Sequence, residues 1–259
     1  MRSFIADFMF HAGKAFGEEQ LDAIIEDAGG GSAMETRAVL AFMRHGGTVR
    51  KCIQCLVVLP VIECSVETVR RAWFGAGVMV FRDQELSPES QVAFSRRFGN
   101  PIIHVRKQFL LAGHPEILMV SNKKHADGTP HGFEDAGRYW HSDLCYLAKP
   151  SKLTILHALE VPTKDGVTYG ATQFAGTVAA YDALSEAMKQ HLDGLRGANS
   201  YRYMWNRKAK EFGVRPLLSE AELQKYPPDA IHPVVRTHPE TGQRSLFVNH
   251  VFTREIIGL

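Results

Sequence analysis

The stretch RYWHSDLCYLAKP, residues 138–150, decides how the rest of the chain is read. It sets His141 and Asp143 two positions apart, among aromatic residues and ahead of a β-rich segment. Along an extended chain, residues i and i+2 project to the same side. The imidazole and the carboxylate would then converge on one ion, a donor set that suits a divalent transition metal. The same spacing also suits a strand with a His–Asp hydrogen bond on its polar face. The residues alone leave both readings open.

Spacing by itself is cheap. With 12 His and 11 Asp among 259 residues, independent placement gives roughly 0.5 H-x-D pairs, and the chain holds three. His191 and Asp193 fall in a helix expected to end near Arg196. Two helical positions mean a rotation of about 200°, so that pair is read as solvated surface. His125 and Asp127 run into Gly128, Thr129 and Pro130, which makes Asp127 a turn former. The extended context belongs to His141 and Asp143.

Bulk properties narrow the class. Hydrophobic residues make up 45% and charged residues 22%, as in ordinary globular domains. The net charge of +2 is carried by scattered Lys and Arg, which gives no stripe for nucleic acid. The longest apolar run, CLVVLPVIEC (55–64), falls short of the ~20 residues of a bilayer span, and Pro60 interrupts it. Asp7 breaks the apolar N-terminal patch and no small-residue cleavage site follows, so a signal peptide is not expected. Four Cys in this length make no disulfide framework, and a cytoplasmic protein with reduced thiols is expected. Cys52 and Cys55 form a C-x-x-C with Cys64 beyond. No fourth zinc ligand stands at suitable spacing, so they are read as ordinary semi-buried cysteines.

Residues 1–64 read as a segment of unclear character, distinct from a domain over 65–259. Residues 18–47 suggest two short helices across a Gly-rich link. SVETVRRAWFGAG (65–77) predicts a helix capped by Ser65, and VMVFRDQ (78–84) a strand. LSPESQVAFSRRFG (86–99) predicts a helix with Ser87 at the N-cap, Pro88 first and Gly99 past the end. EILMVSN (116–122) and KLTILHALEVP (152–162) read as β. Val178, Tyr181, Leu184, Met188, Leu192 and Leu195 carry a helical period across residues 176–197. HPVVRTHPETGQRSLFVN (232–249) predicts two strands about Gly242. This mixture suggests an α+β domain on an antiparallel sandwich or barrel.

Taken together, WHSD, VPTKDGVTYGATQFAGTVAAYDALS and HPVVRTHPETGQRSLFVNHVFTREIIGL resemble the TauD/TfdA family, the taurine and chlorophenoxyacetate dioxygenases. The resemblance runs from about Val66 to Leu259. It implies a double-stranded β-helix (jelly-roll) core with flanking helices. It also implies Fe(II), with 2-oxoglutarate as co-substrate, O₂, and release of succinate and CO₂. His141 and Asp143 match two members of the family's 2-His-1-carboxylate triad, which leaves positions open for 2-oxoglutarate and O₂. Asp143 further implies hydroxylation rather than halogenation. Thr172, in GATQFA, matches a Thr that helps bind the 2-oxoglutarate carboxylate, although Ala171 replaces the usual acidic neighbour. Thr168, in the lengthened KDGVTY loop, is the weaker candidate.

Asn122 lies on a segment that borders the substrate in the family, where it could contact a polar group, and it reads more readily as a strand-end turn residue. Tyr139 is ambiguous in the same way. The implied substrate is a small organic acid: a sulfonate, an aryloxy acid or an amino-acid-like molecule. A homo-oligomer is compatible with this reading. The family's second iron His and its 2-oxoglutarate Arg are expected beyond Leu259, so the C-terminal part of the core is expected to be missing. His250 does not match the position of that second His. The alternative is a catalytically inactive truncated jelly-roll fragment, or a non-enzymatic binding module keeping half a metal site.

Overall fold

The computed structural model describes residues 40–43, 65–134, 136–137, 139–212 and 216–259. The C-x-x-C at 52–55 and most of the expected N-terminal segment lie outside the described residues. The described chain forms two compact units. The first takes 40–43, 65–134, 136–137 and 153–175. The second takes 139–152, 176–212 and 216–259.

In the first unit, helix α1 (Val66–Ala76) begins where the Ser65 hydroxyl accepts the Thr68 amide at 3.1 Å. Gly77 ends it in the left-handed region, at φ 74°, and returns its N–H to the Trp73 carbonyl. A glycine adopts that conformation without the strain a Cβ would bring. Val69, Trp73 and Ala76 recur at helical spacing and are buried. Strand β2 (Met79–Arg82) alternates and turns Met79 and Phe81 inward. Helix α2 (Pro88–Arg96) starts as expected, with Ser87 accepting from the Ser90 amide and Pro88 in the first turn. Val69, Trp73, Met79, Phe81 and Phe94 close one core. Removing each such side chain from water contributes about 1.5–3 kcal/mol.

Strand β1 (Leu40–Met43) lies between β2 and β5 (Ile155–Ala158), parallel to both. Two corrections follow. Residues 40–43 are strand where a short helix was expected, and this pairing is parallel where antiparallel strands were expected. A central strand finds backbone partners on both sides, which outweighs a weak local helical preference.

Strands β3 (Leu110–Leu111) and β4 (His114–Leu118) pair antiparallel. Strands β6 (Thr163–Lys164) and β7 (Val167–Thr168) form a second hairpin. Its two turn residues, Asp165 at φ 53° and Gly166 at φ 75°, have the left-handed backbone that matches strand twist in two-residue hairpins.

In the second unit, β8 (Arg196–Asn199) is the central strand between β9 (Ala230–Pro233) and β12 (Thr253–Ile257), all antiparallel. The strands expected about Gly242 are present as β10 (Val235–Thr237) and β11 (Arg244–Leu246). The single helix expected over 176–197 is instead two, α3 (Thr177–Asp182) and α4 (Glu186–Leu192). Ser185 is extended, and its hydroxyl accepts the Met188 amide at 3.1 Å. A new N-cap therefore interrupts the apolar period. That period still reaches one core, where Tyr181, Leu184 and Leu192 meet Val234, Leu246, Val248 and Ile256. A further helix, α5 (Tyr201–Phe212), was not anticipated. Among the described residues no helix is long and apolar enough to cross a membrane.

Candidate metal centre

Trp140 to Ser142 lie in neither helix nor strand, and at Asp143 the chain enters a turn rather than a strand. Leu144 takes the left-handed conformation, φ 51°, and the Leu147 amide closes back on the Leu144 carbonyl at 3.0 Å. The expectation of a strand at the motif is corrected, since the ladder gives way to a tight turn. The expectation of convergence holds: His141 Nε2 stands 3.1 Å from Asp143 Oδ1.

The backbone fixes which nitrogen faces the carboxylate. His141 Nδ1 lies 2.6 Å from the Tyr139 carbonyl oxygen. A carbonyl only accepts, so Nδ1 carries a proton and donates it. In neutral imidazole, Nε2 then presents a lone pair to a carboxylate oxygen. Two acceptors at that separation need a proton or a cation between them. The proton is favoured in the absence of a cation. Burial opposes the imidazolium, but the Asp143 carboxylate outweighs it and raises His141 above its usual 6.5. A metal ion in the proton's place satisfies the same two donors, with the Tyr139 carbonyl orienting the ring from behind. The pair thus fits a divalent metal as part of its donor set. Among the described residues no third His, Cys, Asp or Glu completes a cluster with them.

The turn is anchored from below. Cys145 and Tyr146 are buried. Asn249 donates through Nδ2 to the Cys145 sulfur and accepts the Phe252 amide at 2.9 Å on Oδ1. Its own amide donates to Thr253 Oγ1, which in turn donates to Asn199 Oδ1, each at 2.9 Å. His232 Nε2 donates to the Leu147 carbonyl at 2.9 Å. Phe252 stands edge-on to His141, 6.1 Å between ring centres, and packs on Tyr146 at 5.1 Å. These supporting residues escaped the sequence reading. Asn249 and Cys145 lie 104 positions apart, and no local pattern announces such a bond.

The other expected residues belong to the first unit. Thr172 is exposed in the loop between β7 and α3, and Asn122 is exposed in a bend four positions past the end of β4. Thr168 ends β7. His250 takes part through its backbone carbonyl, which accepts from Arg207 Nη1 at 2.8 Å. Of the two remaining H-x-D pairs, the first forms the expected turn, while the helix expected to carry the second to Arg196 stops at Leu192 and leaves Asp193 extended. Asp127 accepts from the amide and hydroxyl of Thr129 in a turn. Asp193 ends α4 and pairs with Arg244 at 2.5 Å.

His141, its Nδ1 fixed by the Tyr139 carbonyl, stands against the Asp143 carboxylate, and comparison with known proteins gives the family. The family model described as "Taurine catabolism dioxygenase TauD, TfdA family" matches residues 57–259. This chain belongs to that family.

It is 32% identical over 184 residues to a putative alpha-ketoglutarate-dependent sulfonate dioxygenase of Schizosaccharomyces pombe, covering 71% of this chain and 44% of that protein. It is 31% identical over 193 residues to the (S)-phenoxypropionate/alpha-ketoglutarate-dioxygenase of Sphingobium herbicidovorans, covering 70% and 60%. The chain thus spans about half the length of such curated relatives. Among solved structures, a taurine dioxygenase from Burkholderia xenovorans shares the fold at TM-score 0.51 and 23% identity, with 87% of this chain and 67% of that one covered. AAD-2, crystallised with Mn(II) and N-oxalylglycine, shares it at TM-score 0.51 and 20% identity, with 88% and 72% covered.

Proposed function

We propose that this chain carries the His-x-Asp half of the iron site of an Fe(II)- and 2-oxoglutarate-dependent dioxygenase. Its substrate is a small organic acid: a sulfonate, an aryloxy acid or an amino-acid-like molecule. The observation that carries the reading is the 3.1 Å approach of His141 Nε2 to Asp143 Oδ1, inside a chain of this family. Relatives named for sulfonate, phenoxypropionate and sulfate ester substrates support the substrate class.

His141 and Asp143 would hold the iron. When bound with 2-oxoglutarate and O₂, the iron supplies oxidation of a substrate C–H bond, with 2-oxoglutarate leaving as succinate and CO₂. The chain's own residues prepare the site. The Tyr139 carbonyl keeps Nδ1 protonated, so Nε2 faces the metal position. Phe252 gives one flank of the imidazole an apolar wall. The Asn249–Thr253–Asn199 network holds the turn against drift, because a small misplacement of reacting groups is costly in rate. Thr172 is assigned to a carboxylate of 2-oxoglutarate, and Asn122 to a polar group of the substrate. We also read the dioxygenase domain as residues 65–259 with a jelly-roll core, acting in the cytoplasm, where the buried thiol of Cys145 stays reduced.

The experiment is succinate release from 2-oxoglutarate with Fe(II) and ascorbate, in the presence of a panel of sulfonates, aryloxy acids and amino acids. Release that depends on one substrate class and disappears in His141→Ala supports the reading. Release no higher than that of the variant, for every substrate, overturns it in favour of an inactive or purely binding module.

A further inference from the structure

Arg236 sits on β10 with its guanidinium carbon 4.4 Å from the centre of the Phe247 ring. It is half-buried, and burial disfavours its charge. Among the described residues, no carboxylate pairs with it and no hydrogen bond reaches its nitrogens. A half-buried cation without a counter-ion is costly. Stacking on an aromatic face recovers part of that cost and leaves the N–H fork at the edge, where it can meet an oxyanion bidentately.

The neighbours share this character. His238 follows two positions on, so it projects to the same side of the strand. Its Nδ1 accepts the amides of Glu240 and Thr241 at 3.3 and 3.2 Å, which places the neutral ring's proton on Nε2. Ser245 stands opposite Arg236 in the hairpin register. His232 meets the same Phe247 ring edge-on at 5.3 Å. Burial holds down the charge on His238, with the Glu240 carboxylate opposing it and Lys152 and Arg236 adding to the lowering. The nearby acid, Glu240, is engaged by Lys152 at 2.5 Å.

The geometry points to a binding site for a small oxyanion, a carboxylate or a sulfate, on the β10–β11 hairpin, with Arg236 as its clamp and Phe247 as its floor. This site is built without His141 or Asp143 and does not rest on the iron reading. The hairpin core is on the opposite face, where Val235 packs against the cluster containing Leu246. Conservative changes at Arg236 therefore leave that core in place.

The test uses metal-free protein at fixed ionic strength set with sodium chloride. Inorganic sulfate and benzoate are the two probes, and binding is read by calorimetry and by thermal shift. Saturable binding of at least one probe is expected. It should weaken about tenfold or more in Arg236→Gln and by a smaller factor in Arg236→Lys, which keeps the charge and loses the fork. Phe247→Leu should weaken it as well, and His141→Ala should leave it unchanged. Absence of saturable binding for both probes overturns the proposal, and so does an unaltered affinity in folded Arg236→Gln. If that variant does not fold, unaltered affinity in both Arg236→Lys and Phe247→Leu overturns it. Loss of binding in His141→Ala also overturns it, by moving the anion to the metal pair.

Discussion

The side-chain amide of Asn249 donates to the sulfur of Cys145 across 3.4 Å, tying the turn that follows His141 and Asp143 to the approach of strand β12. The same amide's oxygen accepts the buried Phe252 N–H. Asn249→Ala leaves that N–H without a partner in a dry place. Unfolding in urea should show a loss of about 2–3 kcal/mol, the cost of orphaning buried polar groups. Asn249→Ser, which keeps an acceptor, should recover part of it.

His141 governs how metal binding depends on pH. Asp143 raises it above 6.5 against the effect of burial, and the metal must displace the proton it holds. Affinity for Mn(II) or Co(II) should therefore climb with pH, by about tenfold per unit below the raised value, and level off above it. In metal-free protein the sign is opposite. The protonated pair contributes stability that is complete below 6.5 and is lost as pH rises through the raised value. A metal affinity flat between pH 5.5 and 8 would contradict the assignment of Nε2 as a ligand.

His232 behaves in the reverse sense. Burial lowers it from 6.5, partly opposed by its bond to the Leu147 carbonyl, while Arg236 adds to the lowering. The unfolded chain takes up that proton at its ordinary value. The stability present above 6.5 should therefore erode as pH falls through 6.5 towards the lower folded value. Chemical denaturation at pH 7.5 and 5.5 should show this loss, and His232→Gln should reduce the difference.

Gly132 admits no side chain. A Cβ there would stand 2.8 Å from the Ser121 amide nitrogen and 2.9 Å from the Met119 carbonyl oxygen, both backbone atoms. Gly132→Ala must displace one strand of the loop and strain the Phe133 N–H bond to the Met119 carbonyl, 2.8 Å in the native chain. A destabilisation of about 1–3 kcal/mol is expected, the range for forced overpacking. Thermal unfolding of the variant checks it.

Much of this was legible where one local rule decides the outcome. Ser65, Ser87 and Pro88 each announced a helix start, and Asp127 a turn, because capping and turn chemistry act within three or four residues. Convergence of His141 and Asp143 was anticipated from their i, i+2 spacing, but on a strand where the structure has a turn. The left-handed Leu144 left no trace, since nothing local favours a branched aliphatic residue at φ 51°. Ser185 lay inside the single helix expected over 176–197, although its hydroxyl makes it a cap. Tyr201, Met204, Trp205 and Ala209 are buried at helical spacing, so the α5 signal was present and passed unread. The pairing of β1 with partners near Met79 and Ile155 and the Asn199–Thr253–Asn249 network depend on contacts distant in sequence, which no short pattern encodes.

We propose that His141 and Asp143 act together as ligands to one divalent metal. Calorimetric titration of metal-free protein with Mn(II), alongside His141→Ala and Asp143→Ala, tests it directly. One saturable site is expected in the native chain, lost or weakened about 100-fold in either variant and no weaker in His191→Ala, a control on an unrelated H-x-D. Equal affinity in the native chain and both ligand variants would contradict it.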